Sequence, residues 1–100
     1  MDMRFLMKQA QQVQDKLRQA QQGLRAEGTS GGESVKITLN GAKELLGVSI
    51  SKEAIDPEDP SMLEDLIVAA FKDAAAKADE GMAKITGGMT AGLNIPGFNF

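Results

Sequence analysis

The chain has 100 residues, of which 11 are Lys or Arg and 14 are Asp or Glu, so its net charge is −3 at pH 7. Because it contains no Cys and no His, disulfides, thiolate metal sites and the commonest general base are excluded. Its longest apolar run, 66–71, is far shorter than the roughly 20 residues that a membrane-spanning helix needs. We therefore expect one cytoplasmic domain with no membrane partner, no metal or other cofactor and no small-molecule substrate.

Residues 2 to about 25 are predicted to form a helix with one narrow, buried apolar face. The residues of this face follow one another in steps of three and four, which is the spacing of a heptad repeat. They are Met3, Leu6, Ala10, Val13, Leu17, Ala20 and Leu24.

The same segment carries a positive excess on an acidic chain. Its cations are Arg4, Lys8, Lys16, Arg18 and Arg25. Set against Asp2 and Asp15 they give +3, whereas the rest of the chain sums to −6 (six Lys or Arg minus twelve Asp or Glu). A basic helix face is a surface that a polyanion would bind. The alternative is a solvated face whose cations only keep the protein soluble.

Alternating apolar and polar residues next predict two antiparallel strands. We assign their apolar residues to the core or to a dimer interface: Val35, Ile37, Leu39, Val48 and Ile50. Asn40-Gly41 between them is typical of a hairpin turn, since both residues accept positive φ. Residues 26–30 are a candidate for a short preceding strand, so the sheet has two or three strands.

A second helix is predicted from the loop at 56–61 to about residue 85. Its start has two interpretations: Ser61 and Glu64 form a capping box, or Asp59 caps a helix whose first residue is Pro60. Small residues recur on its apolar face at four-residue steps, which lets another element approach closely: Ala70, Ala74 and Ala78.

The predicted order is therefore helix, two or three antiparallel strands, helix, which defines an α+β fold. A 24-residue helix of about 36 Å would project past a strand of about 26 Å. One domain is expected over 1–86, followed by a flexible tail rich in Gly, Asn and Pro over 87–100. Because a chain of this size buries a thin core alone, association of two copies is favoured.

Some sequence patterns suggest ligand binding or catalysis, but the residues around them do not match such sites. The Gly-rich stretches 28–34 and 87–92 lack the Gly-Lys-Ser/Thr ending or the following helix of a phosphate loop. The acidic run 56–59 has no twelve-residue calcium loop around it. The adjacent carboxylates of Glu64 and Asp65 point about 100° apart on a helix. With no His or Cys to act as base or nucleophile, we expect no enzyme.

Four strings of the sequence together resemble one protein family. They are LMKQAQQ at 6–12, VKITLNG at 35–41, MLEDL, AAF and DAA within 62–75, and GLNIPGF at 92–98. Their identity and order are similar to those of the YbaB/EbfC family of bacterial nucleoid-associated proteins. The resemblance covers the whole chain. It implies a homodimer whose sheets join into a shared core, with long helices that stand out like tweezers.

The resemblance also implies binding of double-stranded DNA with weak sequence preference, at the nucleoid, in chromosome organisation, gene regulation or recombinational repair. Such proteins bind DNA through basic residues on the projecting helices. Here the second helix sets its three lysines against neighbouring acids, which leaves the first helix. We therefore predict phosphate contacts from Arg4, Lys8, Lys16, Arg18 and Arg25. The alternative is a protein-interaction module whose projecting helices grip a partner, with little DNA binding.

Overall fold

The structure, a computed structural model, describes the backbone of residues 2–93 and the side chains of residues 2–88. The elements in chain order are α1 (Met3–Gly23), β1 (Ala26–Ser30), β2 (Val35–Leu39), β3 (Leu45–Ile50), a short 3₁₀ helix (Lys52–Ala54) and α2 (Pro60–Leu93). The strands form one antiparallel sheet in the order β1-β2-β3. The predicted α+β fold is confirmed, with the candidate strand at 26–30 as β1. The molecule is elongated, at 68 × 24 × 16 Å.

The helix α1 begins and ends close to the predicted positions. Asp2 is its N-cap, and the Asp2 carboxylate accepts a hydrogen bond of 3.1 Å from the Arg4 amide. The helix ends at Gly23, where the Leu24 amide still donates to the Ala20 carbonyl at 3.0 Å. The start of α1 is thus defined by a side-chain cap, whereas at its end the chain turns into an extended conformation at Leu24, with φ −69°.

The core lies between α2 and two of the three strands. Val35, Ile37 and Leu39 on β2 are buried, and they pack with Ala70 and Ala74 of α2. β3 continues the same face, because Ile37 pairs directly with Val48 and Val35 with Ile50. However, Ile50 is only partly buried and Val48 stays 47% exposed. The inner face of β3 is therefore left uncovered by the single chain.

α2 approaches the sheet closely because three alanines and one glycine meet at the crossing. Ala70, Ala74 and Ala78 are completely buried. A Cβ atom built on Gly28 of β1 would overlap the Ala70 carbonyl oxygen and the backbone nitrogen of Ala74. The strand and helix backbones are thus in direct contact, which only glycine at this position of β1 permits.

In the loop between β2 and β3, Asn40 and Gly41 have roles that differ from the positive φ expected of them. The positive φ of this loop is at Lys43 (63°), not at Asn40 or Gly41. The buried Asn40 side chain instead accepts hydrogen bonds of 3.0 Å from the amides of Ala42 and Glu44. Gly41 is needed for close approach, because a Cβ there would lie 2.8 Å from Cα of Gln21 in α1.

The start of α2 decides between the two interpretations of its cap. Pro60 is the first helical residue. The Asp59 carboxylate accepts from the Met62 amide at 3.3 Å and from the Ser61 hydroxyl at 2.7 Å. Asp59 is thus the cap and Pro60 takes the first position, where its missing N–H costs nothing.

The end of α2 differs from the sequence prediction, which placed it near residue 85. The helix continues to Leu93, so the expectation of an irregular tail from residue 87 is wrong for 87–93. Gly87 and Gly88 each disfavour the helix by only about 1 kcal/mol, and a helix already formed continues through them. The remainder of the predicted tail, 94–100, lies outside the described residues.

The backbone contact at Gly28 gives a direct test of this packing. We expect Gly28→Ala to lower the free energy of unfolding by about 1–3 kcal/mol, because the new methyl group forces β1 away from α2. Urea denaturation measures this. Gly47→Ala on β3 is the matched control: nothing lies within 4 Å of its built Cβ, and a change below about 0.5 kcal/mol is expected. Equal effects of the two substitutions would contradict the proposed close contact.

Candidate nucleic-acid interface

Within residues 2–88, α1 contacts the rest of the protein near its C-terminal end. Leu17 and Ala20 are half-buried, and the side chain of Leu24 packs against Gly81 of α2. Towards the N-terminus the apolar face is open, with Met3 71% and Leu6 44% exposed. The sequence predicted that this face is buried along its whole length. Among the residues that the structure describes, no residue of α1 is fully buried, so this prediction is wrong for the single chain.

The cations predicted from α1 lie along its exposed surface. Arg4, Lys8, Lys16 and Arg18 are exposed, and within residues 2–88 none of their side chains forms an ion pair or hydrogen bond. At about 1.5 Å per residue, Arg4 and Arg18 are roughly 21 Å apart along the axis. At about 100° per residue, the four cover an arc of about 160° opposite the apolar face. Asp15 lies within this arc, so Met3–Gly23 carries +3 (four cations minus one anion).

Arg25 has a different environment from the other four predicted residues. Its Nη1 donates to the carbonyl oxygens of Gln22 at 2.6 Å and Leu24 at 3.0 Å. Both carbonyls lie at the C-terminal end of α1, where the helix dipole is negative and a cation is stabilising. Arg25 therefore holds the end of the helix, a role that the sequence analysis missed although its position after the last turn is the known signal for it.

α2 does not add a second positive surface. Its charged residues over 60–93 are three lysines and five acids, a sum of −2. Lys77 Nζ lies 3.1 Å from the Asp73 carboxylate and donates to the Glu27 carbonyl at 3.2 Å. Lys43, in the loop after β2, pairs with Asp79 at 3.3 Å. The sequence-based expectation that acids neutralise the lysines of this helix agrees with the Lys77–Asp73 pair, whereas in the other pair an acid of α2 binds a lysine of the loop.

Asp73 also contacts the sheet. Its Oδ2 accepts a hydrogen bond of 3.0 Å from the Thr29 amide of β1. This bond, together with the Lys77 ammonium, holds the pKa of the Asp73 carboxyl below its usual value. The four-residue spacing of Asp73 and Lys77 indicates an ion pair, but nothing in the sequence places it at the edge of a strand.

Metal sites and membrane spans are two further kinds of feature that the described part of the chain could contain. Among residues 2–88 there is no group of three acidic, His or Cys side chains placed to hold a metal ion. No helix in the described range is long and apolar enough to cross a membrane. What the fold presents instead is a projecting helix with exposed, unpaired cations on one side and open apolar residues on the other.

The fold agrees with the comparisons to known proteins. A family model described as the YbaB/EbfC DNA-binding family matches residues 1–93. The chain therefore belongs to this family of DNA-binding, nucleoid-associated proteins.

Two relatives match nearly the whole chain. A nucleoid-associated protein of Caldanaerobacter subterraneus subsp. tengcongensis is 43% identical over 95 residues, covering 92% of this chain and 86% of the relative. One from Paramagnetospirillum magneticum is 48% identical over 94 residues, covering 91% and 88%. The crystal structure of an uncharacterized protein from Helicobacter pylori superimposes with a TM-score of 0.71. It covers 89% of this chain and 97% of its own, and at 21% identity it supports the fold alone.

The structural role of Arg25 separates it from Arg18 in a stability experiment. We expect Arg25→Ala to lower the free energy of unfolding by up to about 1 kcal/mol, because the last carbonyls of α1 lose their cation. Arg18→Ala should change it by less than about 0.5 kcal/mol, since the Arg18 side chain has no partner. Urea denaturation at low ionic strength checks both. An Arg25→Ala variant as stable as the parent would show that this contact does not hold the helix end.

Proposed function

We propose that the protein is a nucleoid-associated protein that binds double-stranded DNA through phosphate contacts from α1, with weak sequence preference. The observation that carries the proposal is the set of unpaired cations on α1: Arg4, Lys8, Lys16 and Arg18. Cations without a partner attract the phosphates of DNA. When they bind, counterions that had been condensed on the DNA are released. Phe5 is the only aromatic residue of α1, so charge and shape would dominate over base stacking.

The relatives support the cellular role and location that we propose. The matching proteins from Caldanaerobacter and Paramagnetospirillum are named nucleoid-associated proteins. We extend that name to this chain, with a location in the cytoplasm at the nucleoid. Chromosome organisation, gene regulation and recombinational repair are the roles that such binding would serve.

Association of two copies is the second part of the proposal. Val48 on β3 faces the same side as the core but is uncovered, and Val68 and Phe71 of α2 are 51% and 39% exposed. We call these three residues the β3 patch. At about 100° per residue, Val68 lies about 180° around α2 from Lys77, which contacts the edge of β1, so Val68 is turned away from that edge. A second copy that covers the β3 patch would extend the core across the third strand.

A dimer also strengthens the proposed DNA contact. Each copy contributes one α1, so two basic helices act on one duplex and the second contact becomes intramolecular. An affinity that is weak for one helix is thereby raised without any new kind of contact. The gain in affinity from two helices matters for a protein whose net charge is −3.

A second candidate function rests on the open apolar residues of α1. Met3, Phe5 and Met7 are exposed at the start of the helix, and methionines adapt well to irregular apolar surfaces. In this alternative the projecting helices grip a partner protein and DNA binding is minor. The salt dependence of binding distinguishes the two functions, because apolar contacts do not weaken with added salt as phosphate contacts do.

We expect DNA binding to depend steeply on salt and on two cations of α1. With about three phosphate contacts per helix in a dimer, the slope of log K against log salt is about −5. Lys16→Ala combined with Arg18→Ala should flatten the slope by about two to three units, at about 0.9 per lost contact. Fluorescence anisotropy with a duplex of about 20 base pairs, between about 50 and 200 mM salt, measures this.

The matched control removes the same charge elsewhere. Lys52→Ala combined with Lys72→Ala alters exposed lysines on the 3₁₀ helix and α2, and it should leave the slope nearly unchanged. Loss of affinity in both double variants would show that total charge, not α1, governs binding. A parent protein that does not bind even at the lowest salt would exclude DNA binding and favour the interaction module.

The proposed dimer has its own test. Val48→Asp puts a charge into the β3 patch without entering the core of the single chain, so we expect a folded monomer where the parent sediments as a dimer. Ser49→Asp, on the opposite face of β3, is the control and should remain dimeric. Sedimentation velocity gives the mass and circular dichroism the fold. A parent that is a compact monomer at micromolar concentration would contradict the dimer.

A further inference from the structure

We propose that the Asp73–Lys77 pair closes the β1 edge of the sheet against pairing with a further strand. β1 is an outer strand of the sheet, bonded to β2 on one side only. Unpaired N–H and C=O groups along such an edge are a template for another chain, and proteins commonly block them. The pair of charged side chains on α2 meets these groups directly.

The free edge of β1 is defined by residues Glu27 and Thr29. Backbone groups of alternate residues in an antiparallel strand point to opposite sides. The Thr29 amide donates to Asp73 and the Glu27 carbonyl accepts from Lys77, so both groups point away from β2. These are the donor and the acceptor that an added strand would need.

The two charged side chains of α2 match the two outward backbone groups of β1 in both charge and position. The Asp73 carboxylate takes the donor at 3.0 Å, and the Lys77 ammonium takes the acceptor at 3.2 Å. The two side chains also bind each other at 3.1 Å, one turn apart on α2. An added strand needs about 4.7–4.9 Å of open space beside β1. The linked side chains occupy that space along the centre of the strand.

The ion pair by itself contributes little to stability. Exposed ion pairs with this helical spacing contribute only about 0.3–0.5 kcal/mol. The side chains of Lys77 and Asp73 are 50% and 39% exposed, so the pair is of that kind. Its distinctive feature is the simultaneous contact with two outward groups of one short strand.

The side of α2 that faces the edge of β1 thus carries charged residues, whereas exposed apolar residues lie elsewhere around the helix. Towards β1 the helix presents Asp73 and Lys77, whereas the apolar Phe71 and Val68 lie about 120° and 180° around the helix from Lys77. Growth of the assembly is confined to the side of the β3 patch, where a two-fold contact closes on itself. This last step rests on the proposed dimer, whereas the closure of β1 does not.

The test compares two double variants that each remove one ion pair. Asp73→Ala with Lys77→Ala frees the β1 edge, whereas Lys43→Ala with Asp79→Ala removes the other ion pair, which contacts no strand edge in the described part of the chain. Sedimentation velocity over a hundredfold range of concentration gives the mass. We expect the first variant to exceed the parent's mass at least twofold at high concentration, and the second to keep it.

A rescue variant separates edge pairing from general loss of structure. Thr29→Pro, added to Asp73→Ala with Lys77→Ala, removes the exposed donor and places a ring at the edge, which edge strands tolerate. The mass should return to that of the parent. If the double variant is unfolded by circular dichroism, Lys77→Met alone replaces it; the Glu27 carbonyl is then free and the mass should still rise.

The parent's own mass is the baseline, so the result is independent of whether the parent is a dimer. A parent that proves monomeric overturns the proposed dimer and leaves this comparison intact. A folded variant with an open β1 edge that keeps the parent's mass at every concentration would overturn the proposed closure. So would a higher mass that persists after Thr29→Pro, because the association would then use another surface.

Discussion

The structure depends on the contact between the backbones of β1 and α2 at Gly28. Without a side chain there, the strand lies against the turn of α2 that contains Ala70 and Ala74, and no larger residue fits. This contact places α2 beneath β1 and β2, and it brings Asp73 and Lys77 to the outer edge of β1. It also leaves the inner face of β3 without a cover. Both the closed edge and the open face therefore follow from one point of close packing.

The surfaces that we connect with function are those that the fold leaves without partners. Lys77 and Lys43 are engaged by neighbouring acids, and Arg25 by the end of its own helix. The four remaining cations of α1 have no such partner among the described side chains, although an acidic chain contains more than enough carboxylates. Within α1 itself Asp15 is the one acid, so in the function that we propose a net charge of +3 on Met3–Gly23 is available to an external polyanion.

Much of the fold could be predicted from periodicity and local signals. The heptad spacing gives α1, and the alternation of Val35, Ile37 and Leu39 gives β2, because these patterns depend on near neighbours. The end of α2 could not be placed, since glycine weakens a helix without ending it. The role of Gly41 was also misjudged, because close approach to Gln21 depends on residues distant in sequence.

At the candidate site too, features that depend on residues near in sequence could be predicted, and features that depend on residues distant in sequence could not. The composition of the first 25 residues identified the cations of α1, and the family resemblance indicated a DNA-binding protein, which the match over residues 1–93 confirms. Whether each cation is free depends on tertiary neighbours. Arg25 is held by two carbonyls and Arg18 by nothing in the described range, yet a residue count treats them alike. The sequence analysis assigned Val48 and Ile50 to the core or to a dimer interface, but alternation alone could not show that the core of the single chain leaves Val48 exposed.

Because α1 is attached at one end, a small tilt at that end moves the other end over a larger distance. The base of α1 is fixed where the Gly41 amide donates to the Gln21 carbonyl at 2.7 Å and where Leu24 meets Gly81. The helix extends about 31 Å from its last residue to its first, so a tilt of only about 10° at the base moves the tip by about 5 Å. Such leverage lets small rearrangements of a few backbone atoms at the base move Arg4, near the tip, relative to the sheet, while the spacing of the cations along α1 stays fixed. In the DNA-binding function that we propose, this movement would let the tip of the helix follow changes in the path of the phosphates.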